Sequence, residues 1–127
     1  MPIRFIVEWN VDKPYLEGPC VVEVSTISEA RVELPKEEHL ACRGSTTEYR
    51  WRVFFKVEIG DEQHLIDQVF VVWTPSRRRF WQTKRLFQLL QALGFSPQQH
   101  EIVRPNEVIG RRCRAVIETR DQVVETV

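Results

Sequence analysis

No stretch of this 127-residue chain comes near the ~20 consecutive apolar residues that a membrane-spanning helix needs. The opening Met1-Pro2-Ile3-Arg4-Phe5 lacks the basic segment, apolar run and small-residue cleavage site of a secretory signal, so none is read there. Cysteine is scarce: Cys20, Cys42 and Cys113 form an odd, scattered set, a poor disulfide framework. Each is expected to act as a small buried hydrophobe in a reducing cytoplasm. His39, His64 and His100 stand apart, and His39 with Cys42 is the sole pair at close spacing, so no metal site is expected. There is no glycine-rich phosphate loop, nucleophile elbow or paired-carboxylate motif. Glu37-Glu38 and Asp61-Glu62 fall in loops, where solvation is the default. The expectation is a protein that is not an enzyme and carries no cofactor.

Net charge is also absent, because eighteen Lys/Arg balance eighteen Asp/Glu. The distribution is uneven. Residues 1–70 hold eight basic and thirteen acidic side chains, and residues 71–127 hold ten and five. From Arg77 to Arg114 there are nine basic residues against Glu101 and Glu107. Such asymmetry points to a polyanionic partner, unless the fold interleaves the two halves.

Apolar residues make up 43% of the chain, enough for one globular domain spanning 1–127, with residues 1–17 as an extended N-terminal arm. Ile3 to Trp9 alternates weakly, as a strand or as part of that arm. Asp12-Lys13-Pro14 and Glu17-Gly18-Pro19 read as turns. Cys20 to Val24 reads as a strand, and continuation through Ile27, Ala30, Val32 and Leu34 would make it long and bent. Lys36 to Thr47 reads as a loop. From Tyr49 to Ile59 the alternation is strict: Tyr49, Trp51, Val53, Phe55, Val57 and Ile59 on one face, Arg50, Arg52, Phe54, Lys56 and Glu58 on the other. Gly60-Asp61-Glu62-Gln63 is a hairpin-length connection to a strand from His64 to Trp73.

Thr74 as N-cap and Pro75 at the first helical position predict a helix from there to about Leu93. Its apolar stripe is Leu86, Leu89, Leu90 and Leu93 with Phe87 beside them, and Gly94 ends it. Phe95 to Asn106 is a connector. A strand follows from Arg111 to about Thr119, and Val123 and Val124 are candidates for a last short one. The fold class expected is mainly β: an OB-type five-stranded Greek-key barrel with one α-helix between the third and fourth strands. The alternative is an α+β sheet with one helix.

Three clusters could carry function. Arg50, Arg52, Phe54 and Lys56 occupy alternate positions of one strand face, where residues two apart lie about 7 Å apart, near the phosphate spacing of an extended single strand, with Phe54 as a stacking platform. Arg77, Arg78, Arg79, Lys84 and Arg85 surround Phe80 and Trp81 without an acid, and helical spacing would gather Arg77, Trp81, Lys84 and Arg85. Cations at a helix start oppose its dipole, a placement that a polyanionic partner would explain. Arg112 and Arg114 share one strand face and either extend the basic surface or pair with acids of the first half.

The strands Cys20–Val24, Tyr49–Ile59 and His64–Trp73, the helix Arg85–Gly94 and the closing Val108–Ile117 with its Ile-Gly-Arg-x-Cys run together resemble a family of phage- and mobile-element-encoded, OB-fold, single-stranded-DNA-binding-like proteins. The resemblance implies single-strand binding in replication or recombination and assigns no individual residue. The expected partner is single-stranded DNA or RNA, bound with little sequence preference and away from any membrane. The alternative is a protein–protein module, a homo-oligomer, or a subunit or small inhibitor of a larger complex, with the same arginines facing acidic side chains and Trp81 as anchor.

Overall fold

The period-two alternation centred on residues 49–59 builds the middle of the sheet. In the computed structural model, which describes residues 3–9, 17–96 and 103–121, five strands form: β1 (Ile3–Trp9), β2 (Gly18–Glu33), β3 (Thr47–Ile59), β4 (Glu62–Trp73) and β5 (Arg112–Asp121). Three short helices accompany them, α1 (Lys36–His39), α2 (Thr83–Ala92) and α3 (Pro105–Val108), with a 3-10 turn Phe80–Gln82 leading into α2. The strand order is β1-β5-β2-β3-β4. β2, β3 and β4 form an antiparallel meander, and β5 returns beside β2, also antiparallel. The order β5-β2-β3-β4 is that of a Greek key.

The inward row of β3, Trp51, Val53, Phe55 and Val57, is buried, while Arg52, Lys56 and Glu58 on the other face are exposed. β2 is long and irregular, as its sequence suggested. Its inward row Val22, Val24 is interrupted by a register shift between Val24 and Thr26. One extra residue there bends the strand and moves the inward row to Ile27, Glu29 and Arg31.

Ile3–Trp9 is a sheet strand rather than an arm, paired in parallel with β5. Ile3 and Phe5 are buried, and the Phe5 ring lies 4.7 Å from that of Phe55. α2 therefore follows the fourth strand of the chain, one place later than expected. The turn at Asp12-Lys13-Pro14, residues 1–2 and 10–16 of the expected arm and the Val123-Val124 strand lie outside the described residues.

The sheet is open: β1 and β4 are its two edges. A side chain spans the gap between them. Gln68 Nε2 on β4 donates to the Ile6 carbonyl on β1 at 3.0 Å, and an Arg85 terminal nitrogen donates to Gln68 Oε1 at 3.5 Å. α2 packs against β4 and touches β1, so it lies over this seam. Leu86, Leu89, Leu90 and Leu93 are buried as its stripe predicts, whereas Phe87 falls outside the stripe and is exposed.

α2 ends in a Schellman motif: Phe95 N–H donates to Leu90 O at 2.9 Å and Gly94 N–H to Gln91 O at 3.0 Å. Arg111 completes the cap. Its guanidinium lies 4.0 Å from the Phe95 ring centroid and donates to Leu93 O at 3.5 Å. Gly94 has φ +92°, and a Cβ there would meet only an Arg111 nitrogen at 3.8 Å, an ordinary contact. Gly94→Ala should therefore cost about 1–2 kcal/mol through backbone strain alone, read as a lower urea midpoint with an unchanged m-value.

Candidate nucleic-acid interface

The predicted helix start does not form. Thr74, Pro75 and Ser76 are buried, and residues 74–77 turn past 41–43, joined to them by a single bridge rather than by a helix. Arg77 N–H donates to Ala41 O at 3.0 Å, Arg43 N–H to Pro75 O at 3.2 Å, and Cys42 and Ser76 form an antiparallel bridge. The Thr74 hydroxyl accepts from Ser76 N–H at 3.3 Å, a local turn rather than a helix cap. Helical order begins at Phe80, so Arg77 is not gathered with Lys84 and Arg85 by helix geometry. Opposition to the helix dipole remains for Lys84 and Arg85, which sit in the first turn of α2.

Glu48, near the start of β3, is completely buried and takes hydrogen bonds from Thr74 and Arg79 of this segment and the turn that follows it. Arg79 forks onto its carboxylate, Nε to Oε1 at 2.7 Å and a terminal nitrogen to Oε2 at 3.1 Å. Arg50 Nε donates to Oε2 at 2.6 Å. Burial alone would raise the Glu48 pKa. Hydrogen bonds from Arg79, Arg50 and Thr74, with the Arg50 charge, outweigh it and hold the carboxyl below its ordinary value. Arg50 and Arg79, two of the expected backbone contacts, are thus committed to an internal carboxylate.

Other candidates are also paired. Arg52 Nε donates to Asp67 at 2.8 Å and its guanidinium lies 5.8 Å from the Phe54 ring, which is half-buried. Arg112 donates to Glu23 at 2.9 Å. Arg85 turns toward the sheet, 5.3 Å from the buried Phe70 ring. Lys56 and Arg114 are exposed on the outer face, Lys56 opposite Glu23 and Arg114 opposite Val21. Arg50 and Lys56 are separated by six residues of β3, about 20 Å at the usual rise. Arg77–Arg79 belong with the first of these ends, and Arg112 and Arg114 with the second. The described basic residues therefore fall into two groups about 20 Å apart along β3.

Among the described residues, Arg77, Arg78 and Lys84 are exposed and make no ion pair. Two aromatic rings lie among them, Phe80 at 67% exposure and Trp81 at 61%. No Asp or Glu occurs between Asp67 and Glu101. Arg43 joins this group through the 41–43/75–77 pairing, which sets its backbone beside that of Pro75. Sequence reading missed it, because nothing local marks a lone arginine in a Gly-Ser-Thr loop as a neighbour of Arg77.

The thiols are free. Burial, with a smaller contribution from Cys20, pushes Cys113 up to about 11. Cys42 Sγ donates to Glu38 O and a His39 ring nitrogen contacts Leu34 O, so both are engaged locally. Among the described residues no three His, Cys, Asp or Glu side chains converge as metal ligands, and no helix is long and apolar enough to cross a membrane. No protein-family model, curated protein or solved structure matches the chain.

Proposed function

We propose that this chain is a non-catalytic, OB-type module that binds single-stranded nucleic acid with little sequence preference, through the surface from Arg77 to Lys84. The observation that carries this reading is a set of three cations, Arg77, Arg78 and Lys84, without an ion pair among the described residues and interleaved with the exposed rings of Phe80 and Trp81. Unpaired cations attract phosphates at any sequence, and every base has a face that can stack on an indole. The Greek-key order, the bent β2 and the helix preceding β5 support a barrel of OB type, with β1 standing where a closing strand is required. The interface is smaller than the sequence suggested and sits on the turn and helix rather than on β3.

Fluorescence anisotropy with a labelled oligo-dT strand at low and moderate salt tests the proposal. The expected result is saturable binding that weakens steeply as salt rises. Absence of binding at low salt would sink it.

A second reading is favoured by one feature. Phe80, Lys84 and Phe87 fall on one exposed face of the turn and α2. Such a stripe also suits an acidic protein surface or a second copy of the chain, with Trp81 as anchor. Sedimentation of the chain alone distinguishes self-association through this face from a monomer.

A further inference from the structure

The inward face of the sheet is left open at one end. Beyond the β2 irregularity, Glu29 and Arg31 stand opposite Trp51 and Tyr49 of β3, and Tyr49 stands opposite Trp73 of β4. Trp51 is buried there, but Trp73 is 52% exposed. Between them and the 45–47 segment lies an open cleft of about 610 Å³, lined by Glu29, Arg31, Ser45, Thr47, Tyr49 and Trp73. Ligand sites commonly measure about 300–1,000 Å³.

The polar groups of this cleft are unevenly used. The Tyr49 hydroxyl donates to Glu29 Oε1, and no hydrogen bond to Glu29 Oε2 is present among the described residues. The Thr47 hydroxyl is spent on Glu33 at 3.1 Å. Ser45 Oγ accepts from Thr47 N–H at 3.1 Å, which leaves its O–H free to donate. Arg31 makes no ion pair among the described residues. On the same row, the buried Trp51 Nε1 has no well-formed hydrogen bond among the described residues, its one polar neighbour being the Tyr49 hydroxyl. An aromatic wall thus carries at its rim a free carboxylate acceptor, a free hydroxyl donor and a free cation. A greasy ligand would leave those rim groups unanswered. A metal ion would find one unclaimed carboxylate, because Glu48, which also lines the cleft, is held by Arg50 and Arg79. A flat ring with hydrogen-bonding edges uses the whole set.

We propose that this cleft takes one unstacked nucleobase, its ring on Trp73 and an amino-bearing edge toward Glu29 Oε2. The proposal rests on the single-strand reading for the source of the base, and its test does not. Carboxylates accept from the cytosine amino group, whereas uracil presents carbonyl oxygens at the same position. The probes are therefore cytidine and uridine, which carry no phosphate, titrated against the full chain labelled with 15N. The readout is the indole N–H resonances of Trp73 and Trp81, assigned by Trp→Phe substitution.

Cytidine should move the Trp73 resonance saturably, and with higher affinity than uridine, while leaving that of Trp81 in place. Glu29→Gln, which keeps the shape, should bring cytidine down to the uridine affinity. Trp73→Leu should weaken nucleoside binding, read from the Tyr49 ring protons, by about tenfold or more, the loss of one stacking platform. An unmoved Trp73 resonance with both nucleosides overturns the proposal. So does an equal response to tryptophanamide, which would assign the cleft to a peptide ring. A chain that binds nucleosides but no oligo-dT would sink the single-strand reading and leave the cleft standing. A chain that binds oligo-dT with Trp73 silent to strand and nucleoside alike would sink the cleft alone.

Discussion

Glu48→Ala is expected to lower the unfolding free energy by about 3–5 kcal/mol, the largest effect of any single substitution on the outer face. The wild-type carboxylate is fully buried and accepts from Arg79 through both oxygens and from Arg50 through one. Truncation leaves two guanidinium groups, each largely shielded from water, facing one another without a counter-charge. A partnered variant separates that penalty from the worth of the pairing itself. Replacing all three groups by apolar side chains, Glu48→Leu with Arg50→Met and Arg79→Met, should recover most of the loss, because buried ion clusters are often matched by well-packed hydrophobes. Urea titration of the three proteins checks the ranking.

The same carboxylate sets a pH dependence. Its folded pKa is depressed, so the stability it contributes is complete above the unfolded value of about 4.3 and is lost as pH falls through the folded one. Wild type should lose stability below about pH 4.3 by this route, and the triple apolar variant should lack that component. A wild-type profile matching the triple variant throughout would show that Glu48 does not carry it.

Glu48 also explains which parts of the molecule could be read from the chain. Local signals were reliable where the structure is local: the alternation of β3, the leucine stripe of α2 and the left-handed Gly94 all appear as expected. Thr74-Pro75 carried an equally clear helix-start signal and failed. Pairing with 41–43, more than thirty residues earlier, offers the same backbone groups partners outside a helix. The parallel partner of β1 lies more than a hundred residues away, beyond any periodicity. The fold cancels part of the charge asymmetry. Glu23 and Glu48 of the acidic half meet Arg112 and Arg79 of the basic half, and Asp67 meets Arg52 across one hairpin. What survives is Arg77, Arg78 and Lys84, with no acid near in sequence and no ion pair among the described residues.

That remainder defines the second large effect. Arg77→Glu/Arg78→Glu/Lys84→Glu should abolish measurable oligo-dT binding at moderate salt. It should also reduce the magnitude of the log–log salt slope by about 2, since each phosphate contact to a single strand contributes about 0.7. The fold should tolerate it, because all three side chains are exposed and make no ion pair among the described residues. The control reverses charge in the two other clusters that the sequence offered. Arg52→Glu/Arg112→Glu removes two exposed pairs, which should cost stability by no more than about 1 kcal/mol each and leave the salt slope unchanged. Trp81→Ala separates stacking from charge: affinity should fall by about 1–3 kcal/mol at every salt concentration, with the slope kept. Equal losses of slope in both charge-reversed proteins would return the interface to the strand face and overturn its assignment to the turn and helix.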